Sequence, residues 1–418
     1  MSFFQKLEQK LKINVRQHAK NSSLLAAGSF VASLMGLAIS VVYANFLSKE
    51  TYGEYRYVLG LLNVFNSFSL TGMNVAVAQA VARGFDGVLM ASIKYQLKWA
   101  IPHTLGGLVA AGVFYCRGDM TAAVCLALIA IIVPVSNAFN TYTAFLQGRK
   151  AFTAFSASTV VQSIAVYSSI AVAVFASRHV VWVTLANIGA TLAVALIMHA
   201  WTLWRFKPGT STDQNAITYG RNVSLLWGIR MAAEQIDTFL IHGFLGPVAL
   251  ATYAVITTVP ERLKGYIKIA PLVVLPNHAN RTLADIVPPL RKKLALMTLA
   301  LAGISAAYAL LCPLLFGWIY PLYQNAVPLA QLYGITFIFG LSTIPLTILF
   351  SQQESKVLSN VLIGSSIAQG IIMALGLWLG GLMGAIAAKL VFQLLQTVTM
   401  IVGLEIAAKR HMALASKT

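Results

Sequence analysis

The sequence predicts an all-α, polytopic membrane protein of about twelve transmembrane helices, arranged as two parallel six-helix repeats. Three observations predict it. The chain is 58% hydrophobic and 10% charged, where a soluble domain carries about 25% charge. Its mean hydropathy is +0.75. Apolar runs of roughly 20 residues, enough for a helix to cross a bilayer, recur along the whole chain.

The arm MSFFQKLEQKLKINVRQHAKN comes first. Phe3, Leu7, Leu11 and Val15 recur every four residues, with Lys6, Lys10, Lys12 and Arg16 on other faces. That pattern suits either an interfacial helix on an anionic leaflet or a basic tail. No small-residue cleavage site follows it, so no cleavable signal peptide is expected. The first six spans are 22–45, 57–82, 97–116, 120–145, 152–176 and 180–204. The second six are 221–245, 250–278, 293–316, 326–350, 357–379 and 382–406. Span eight carries charges and is interrupted by Pro260, Pro271 and Pro276, which predicts a kink or break. Cys116, Cys125 and Cys312 lie in or beside spans and read as small buried hydrophobes.

Lysine and arginine orient the bundle. With the N-terminus inside, 21 of the 30 fall on cytoplasmic segments and four (Lys49, Arg56, Arg117 and Arg178) on the opposite side. The bias places both termini in the cytoplasm of a cell with an inner membrane. It also accounts for the net charge of +18 without nucleic acid. The expected organisation is a basic arm (1–20), a first bundle (21–205), a flexible connector (206–220), a second bundle (221–408) and a tail (409–418).

Two echoes relate the halves. FLSKETYGEY (46–55) follows span one as FLGPVALATY (244–253) follows span seven. FLQGRK (145–150) follows span four as FSQQESK (350–356) follows span ten. Six spans return the chain to its starting side, so the repeats are parallel, an arrangement that in transporters often frames the substrate site.

The candidate site is a run of charges where the membrane makes them costly, at roughly 2.5–3.5 kcal/mol each on insertion scales. Arg230, Glu234 and Asp237 share i, i+4, i+7 spacing on span seven. Glu261, Lys264 and Lys268 have i, i+3, i+7 spacing on span eight, with Arg262 to one side. The two spans run antiparallel, which makes cross-helix ion pairs geometrically possible. A wet cavity lined by Arg230, Arg262, Lys264 and Lys268 attracts an anion such as a diphosphate or an acidic sugar. Glu234, Asp237 and Glu261 either hold those cations or bind a coupling proton or Na⁺. A network that only orients two helices is the competing reading.

Lys389 with Gln393 and Gln396 makes a polar stripe on the last span, lining the same cavity or snorkelling outward. Asn63, Asn66, Asn74, Asn137 and Asn140 read as interhelical hydrogen-bonding groups. His242 reads as an interfacial residue, with a pH sensor as the alternative. The chain holds no phosphate loop, HExxH or GxSxG motif, and no metal ligand or cofactor is expected.

Segments 21–84 and 237–255, the latter running into a span that ends VVLP (273–276), resemble the polysaccharide (Wzx-type O-antigen) flippases. These belong to the multidrug/oligosaccharidyl-lipid/polysaccharide (MOP) exporter superfamily. The resemblance implies two six-helix bundles in a V around a central cationic cavity. It implies a transporter rather than an enzyme, working by alternating access on an ion gradient or the membrane potential. The implied substrate is a polyprenyl-diphosphate-linked oligosaccharide, moved from the inner to the outer leaflet to supply lipopolysaccharide O-antigen or another surface polysaccharide. Membrane lipid, a polymerase and assembly proteins are the implied partners. The cavity cations would be Arg230, Arg262, Lys264 and Lys268; span one, unlike that of related precursor flippases, carries no charge. A cation-coupled multidrug exporter of the same fold would favour acidic residues. A membrane polymerase or ligase would need a larger outer loop.

Overall fold

A computed structural model describes residues 15–267, 283–342 and 355–415. Every regular element among them is helical. The chain divides into two compact units: residues 1–47 with 58–235, and residues 48–57 with 236–418.

The first unit contains α1 (Val15–Phe46), most of α2 (Lys49–Ser67), α3 (Met73–Ala82), α4 (Val88–Cys116), α5 (Met120–Asn140) and α6 (Tyr142–Gly148). It continues with α7 (Phe152–Ala176), α8 (Val180–Phe206) and α9 (Gln214–Ala233). Five of these helices are individually long and apolar enough to cross a membrane: α1, α4, the α5–α6 run, α7 and α8. The expected span 57–82 is not one helix. It breaks at 68–72, where Leu70 adopts a positive φ of 56°. Core packing concentrates at one end of the unit, where Met73, Val77, Val81, Leu89, Tyr142 and Phe145 are buried together.

The connector departs from expectation. Residues 214–220 are helical, and the preceding stretch is held rather than loose. Arg83 pairs with Asp213 at 2.8 Å. Arg149 pairs with buried Asp86, which also accepts the Gly209 amide at 3.3 Å. The Gly87 amide bonds the Ser211 carbonyl at 2.8 Å. The polar and glycine content that suggests a free linker here supplies the bonds of a clamp.

The second unit contains residues 48–57, α10 (Ile236–Ile267), α11 (Leu283–Ile319), a 3₁₀ turn (Pro321–Ala326), α12 (Val327–Gly334), a 3₁₀ stretch (Ile335–Ser342) and α13 (Ser355–Ala415). Two of the long helices are hairpins. The chain reverses within α10 at Gly246 (φ 79°, ψ −177°) and within α13 at Gly380–Gly381 (φ 54° at Gly381). These dihedrals are open essentially to glycine alone, and the second reversal falls where the sequence places a boundary between spans eleven and twelve. Span seven is not one helix: α9 ends at Ala233, α10 begins at Ile236, and the two belong to different units. Residues 221–235, expected to open the second bundle, therefore sit with the first. The span expected at 326–350 begins as 3₁₀ and short α-helix, and its 343–350 portion lies outside the described residues, as do residues 1–14 and Lys268.

The first echo is a contact. In the second unit, Gly53 of FLSKETYGEY packs on the backbone of Pro247 of FLGPVALATY. A Cβ at Gly53 would lie 1.9 Å from the Pro247 carbonyl oxygen. Tyr52 and Tyr55 are fully buried beside it, and the Lys49 ammonium stands 5.0 Å from the Tyr323 ring centroid. Cys125 and Cys312 are buried as expected, whereas Cys116 is exposed at the end of α4.

Gly53→Val tests this contact. The clash is with backbone, which cannot rotate away, so the cost should reach or exceed the upper end of ordinary overpacking, about 3 kcal/mol. Thermal unfolding in detergent should show a large drop. Gly112→Val, with open space around its Cβ position, should show little change.

Candidate functional site

A carboxylate removed from water must meet a cation and further donors or it will not stay ionised. Asp237 is 5% exposed, and both of its oxygens are met. Lys389 of α13 pairs with Oδ2. The Tyr253 hydroxyl donates to the same oxygen at 3.1 Å. The Gln369 amide donates to Oδ1 at 2.9 Å.

The two glycine reversals explain this convergence. Asp237 lies nine residues before Gly246 and Tyr253 seven after it; Gln369 lies eleven before Gly380 and Lys389 eight after Gly381. At 1.5 Å per residue, each hairpin sets its two side chains at nearly one depth. Four positions spread over 152 residues thus meet at one carboxylate.

A second centre lies further along α10. Glu261 pairs with Lys264, three residues on, and its Oε1 accepts the Tyr333 hydroxyl of α12 at 2.6 Å. The Lys264 ammonium also stands 5.4 Å from the Tyr333 ring centroid, a favourable cation–π placement. The Glu261 side chain is 44% exposed, whereas Lys264 is buried. Tyr253 and Tyr333 meet edge to face with centroids 6.2 Å apart, so a tyrosine pair joins the two centres. Asp237 is enclosed; Glu261 is open to exchange. Among the described residues no group of three His, Cys, Asp or Glu side chains converges, so the site is built of ion pairs.

The predicted cluster is thus redistributed. Arg230 and Glu234 keep their i, i+4 relation at 3.6 Å, both well exposed, in the first unit. Asp237 belongs to α10 in the second unit, where its cation is Lys389. Lys264 pairs with Glu261 of its own helix. Arg262 is half-buried and interacts within the protein. Lys389 faces inward to Asp237 rather than snorkelling, and Gln393 is not among Asp237's partners. His242 stacks on Tyr57 with centroids 4.0 Å apart. In the first unit Asn137 donates to Asn66, and Asn63 to Gln235 at 3.3 Å, as expected of interhelical amides.

Sequence reasoning missed Tyr253, Tyr333 and Gln369. One signal was available: a phenol or amide inside an apolar span needs a polar partner, and this half offers few.

Three comparisons bear on the chain. A family model described as polysaccharide biosynthesis protein matches residues 18–279, more than half of it. No curated protein sequence matches it significantly. Among solved structures, the lipid II flippase MurJ in its inward closed conformation has a TM-score of 0.66 at 12% identity, covering 91% of this chain and 87% of that one. An outward-facing multidrug resistance MATE family transporter of the MOP superfamily scores 0.65 at 13% identity, covering 96% and 97%. A MOP superfamily transporter from Pyrococcus furiosus Vc1, for which reverse polarity of the binding pocket is described, scores 0.61 at 16% identity, covering 95% and 96%. At these identities the likeness is one of fold alone.

The site generates two stability predictions. Lys389→Met leaves Asp237 buried without its cation and should cost about 3–5 kcal/mol. Adding Asp237→Asn should restore most of that, and thermal unfolding of the two single variants and the double variant reads the coupling. Tyr253→Phe removes a donor from enclosed Asp237 and should cost about 1.5–3 kcal/mol, the worth of a hydrogen bond to a charged group. Tyr333→Phe should cost less, because water reaches Glu261.

Proposed function

The chain belongs to the polysaccharide biosynthesis protein family, and from that premise we propose that it is a lipid-linked oligosaccharide flippase. Its substrate is a polyprenyl-diphosphate-linked repeat unit of O-antigen or another surface polysaccharide. It carries the head group from the inner to the outer leaflet of the cytoplasmic membrane by alternating access, with both termini in the cytoplasm.

Charge accounting carries the reading. Between residues 230 and 268 four cations stand against three carboxylates. Lys389 neutralises Asp237 from outside that stretch, so only Glu234 and Glu261 remain to offset Arg230, Arg262, Lys264 and Lys268. An excess of cations in this stretch of sequence disfavours cationic drugs and favours a diphosphate. The MATE-like fold alone is equally compatible with drug export; the charge is what separates the two readings. Arg262 and Lys268 are the proposed diphosphate contacts. Arg230 serves at the edge of the first unit, and Lys264 acts mainly by holding Glu261. Glu261, half-exposed and balanced by one lysine, is the proposed exchange point for a coupling proton or Na⁺, and enclosed Asp237 is the proposed structural anchor.

Reconstituted protein should move a fluorescent polyprenyl-diphosphate oligosaccharide between leaflets of proteoliposomes. Arg262→Glu should reduce the initial rate at least tenfold with unchanged folding, and Arg262→Lys should retain part of it. Loss of the gene should accumulate lipid-linked units on the cytoplasmic face. Unpolymerised units accumulating on the outer face instead would identify a polymerase and overturn the reading.

A further inference from the structure

Within the first unit, α9 lies along α2 and α3 in an antiparallel register that small residues fix. A Cβ at Gly220 would lie 2.6 Å from the Met73 sulfur, one at Gly72 2.7 Å from the Ser224 amide nitrogen, and one at Gly228 2.8 Å from the Ser67 carbonyl oxygen. Further along, Asn63 donates to Gln235 at 3.3 Å. Positions 220, 224 and 228 follow i, i+4 spacing, a seam of the kind that lets membrane helices approach closely. The two flanks of that seam differ. At 3.6 residues per turn, Leu225 and Ile229 fall on one side of it, both exposed, as suits lipid. Trp227, Arg230 and Glu234 fall on the other side and are also exposed. In an antiparallel pair the same turn angle brings Asn66 of α2 to that second side, one turn from Asn63.

Depth and polarity identify an occupant. Counted from the expected start of span seven at 221, Trp227 to Gln235 lie roughly 9–21 Å into a hydrocarbon core of about 30 Å. An exposed amide or ion pair at that depth is costly against lipid and marks a water-filled space. The flank is neutral: Arg230 is balanced by Glu234 at 3.6 Å, and the amides carry no charge, so nothing here draws a diphosphate. What it offers is interleaved donors and acceptors. Among the described residues the Asn63 and Gln235 side chains make no hydrogen bond but the one between them. That bond uses one group of each amide and leaves the other, whichever way the amides are turned. Glu234 adds acceptors and Arg230 adds donors. Adjacent hydroxyls, each both donor and acceptor, match such a surface. Trp227 contributes an apolar plate for the C–H face of a pyranose ring.

We propose that this flank, formed by Asn63, Asn66, Trp227, Arg230, Glu234 and Gln235, is a glycan-binding wall that holds a sugar residue of the lipid-linked oligosaccharide by its hydroxyls. The proposal rests on the flippase reading for the presence of a sugar. It divides the labour of recognition: a neutral wall in the first unit reads the glycan, and the cations of span eight serve the diphosphate.

The test titrates full-length protein in detergent with two fluorescent probes, a polyprenyl-diphosphate oligosaccharide and the sugar-free polyprenyl diphosphate, and reads binding by anisotropy. Wild-type protein should bind the glycosylated probe roughly tenfold more tightly, the worth of one or two net hydrogen bonds. The double variant Asn63→Leu, Gln235→Leu removes both members of one bond, which spares the fold. It should lose roughly that factor for the glycosylated probe and nothing for the sugar-free one. Trp227→Ala, at an exposed position, should behave the same way, and Ile229→Ala on the other flank should change neither affinity. Equal wild-type affinity for the two probes would overturn the proposal. So would a Trp227→Ala protein that loses both probes equally or neither. Movement of the glycosylated probe between leaflets of proteoliposomes, with the same initial rate in the double variant, sinks the wall and leaves the flippase reading standing. Sugar-selective binding without movement sinks the flippase reading and leaves the wall.

Discussion

The second unit is organised by the need to keep a carboxylate ionised away from water. Asp237 requires a cation and two neutral donors, and no single helix supplies all three. Lys389, Tyr253 and Gln369 come from arms separated by tight reversals. The placement of Gly246 and Gly380–Gly381 is what makes those arms meet at one depth. The Glu261 centre then joins through the Tyr253–Tyr333 contact, so most helices of the unit answer to one polar tract. Such a tract is a poor source of net stability compared with apolar packing. It fixes register, because sliding either hairpin by one residue would leave a buried ion without its partner.

Much of this was legible in the sequence, for identifiable reasons. Hydropathy reports where a helix must cross, so α5, α7 and α8 begin where expected and α4 ends where expected, although α4 starts nine residues early at Val88. Glycine pairs report where a chain can reverse, so the turn near 380 was placed correctly. Periodicity fails where the helix itself fails. Arg230, Glu234 and Asp237 share a face only on an unbroken helix, and the helix is interrupted between Ala233 and Ile236. The link from Asp237 to Lys389 spans 152 residues and has no local signature. The connector misled because glycine, serine and aspartate favour both loose linkers and tight hydrogen-bonded turns. Only the presence of Asp86 and Arg149 at the facing loops decides between them.

The family match and the shared fold are silent on cargo, and charge is the property of the site that bears on it. A carboxylate that keeps its lysine, as Asp237 does, contributes no net field to the surrounding space. Cations beyond that pairing do contribute one. Lys389 sets this balance at Asp237, because its ammonium cancels the carboxylate charge.

The embedding of residues 48–57 in the second unit bears on how the protein is made. This helical segment is synthesised early, yet Pro247 and Tyr323, against which Gly53 and Lys49 rest, are added some 200–270 residues later. At about 5–20 residues per second, the ribosome takes on the order of ten seconds to a minute to produce them. Tyr52 and Tyr55 must wait through that interval without their final surroundings. The first half therefore cannot finish maturing as it leaves the insertion machinery, and assembly closes only when late helices cover the start of α2. A nascent chain arrested before Tyr323 would present that segment unburied, in a form open to quality-control proteases.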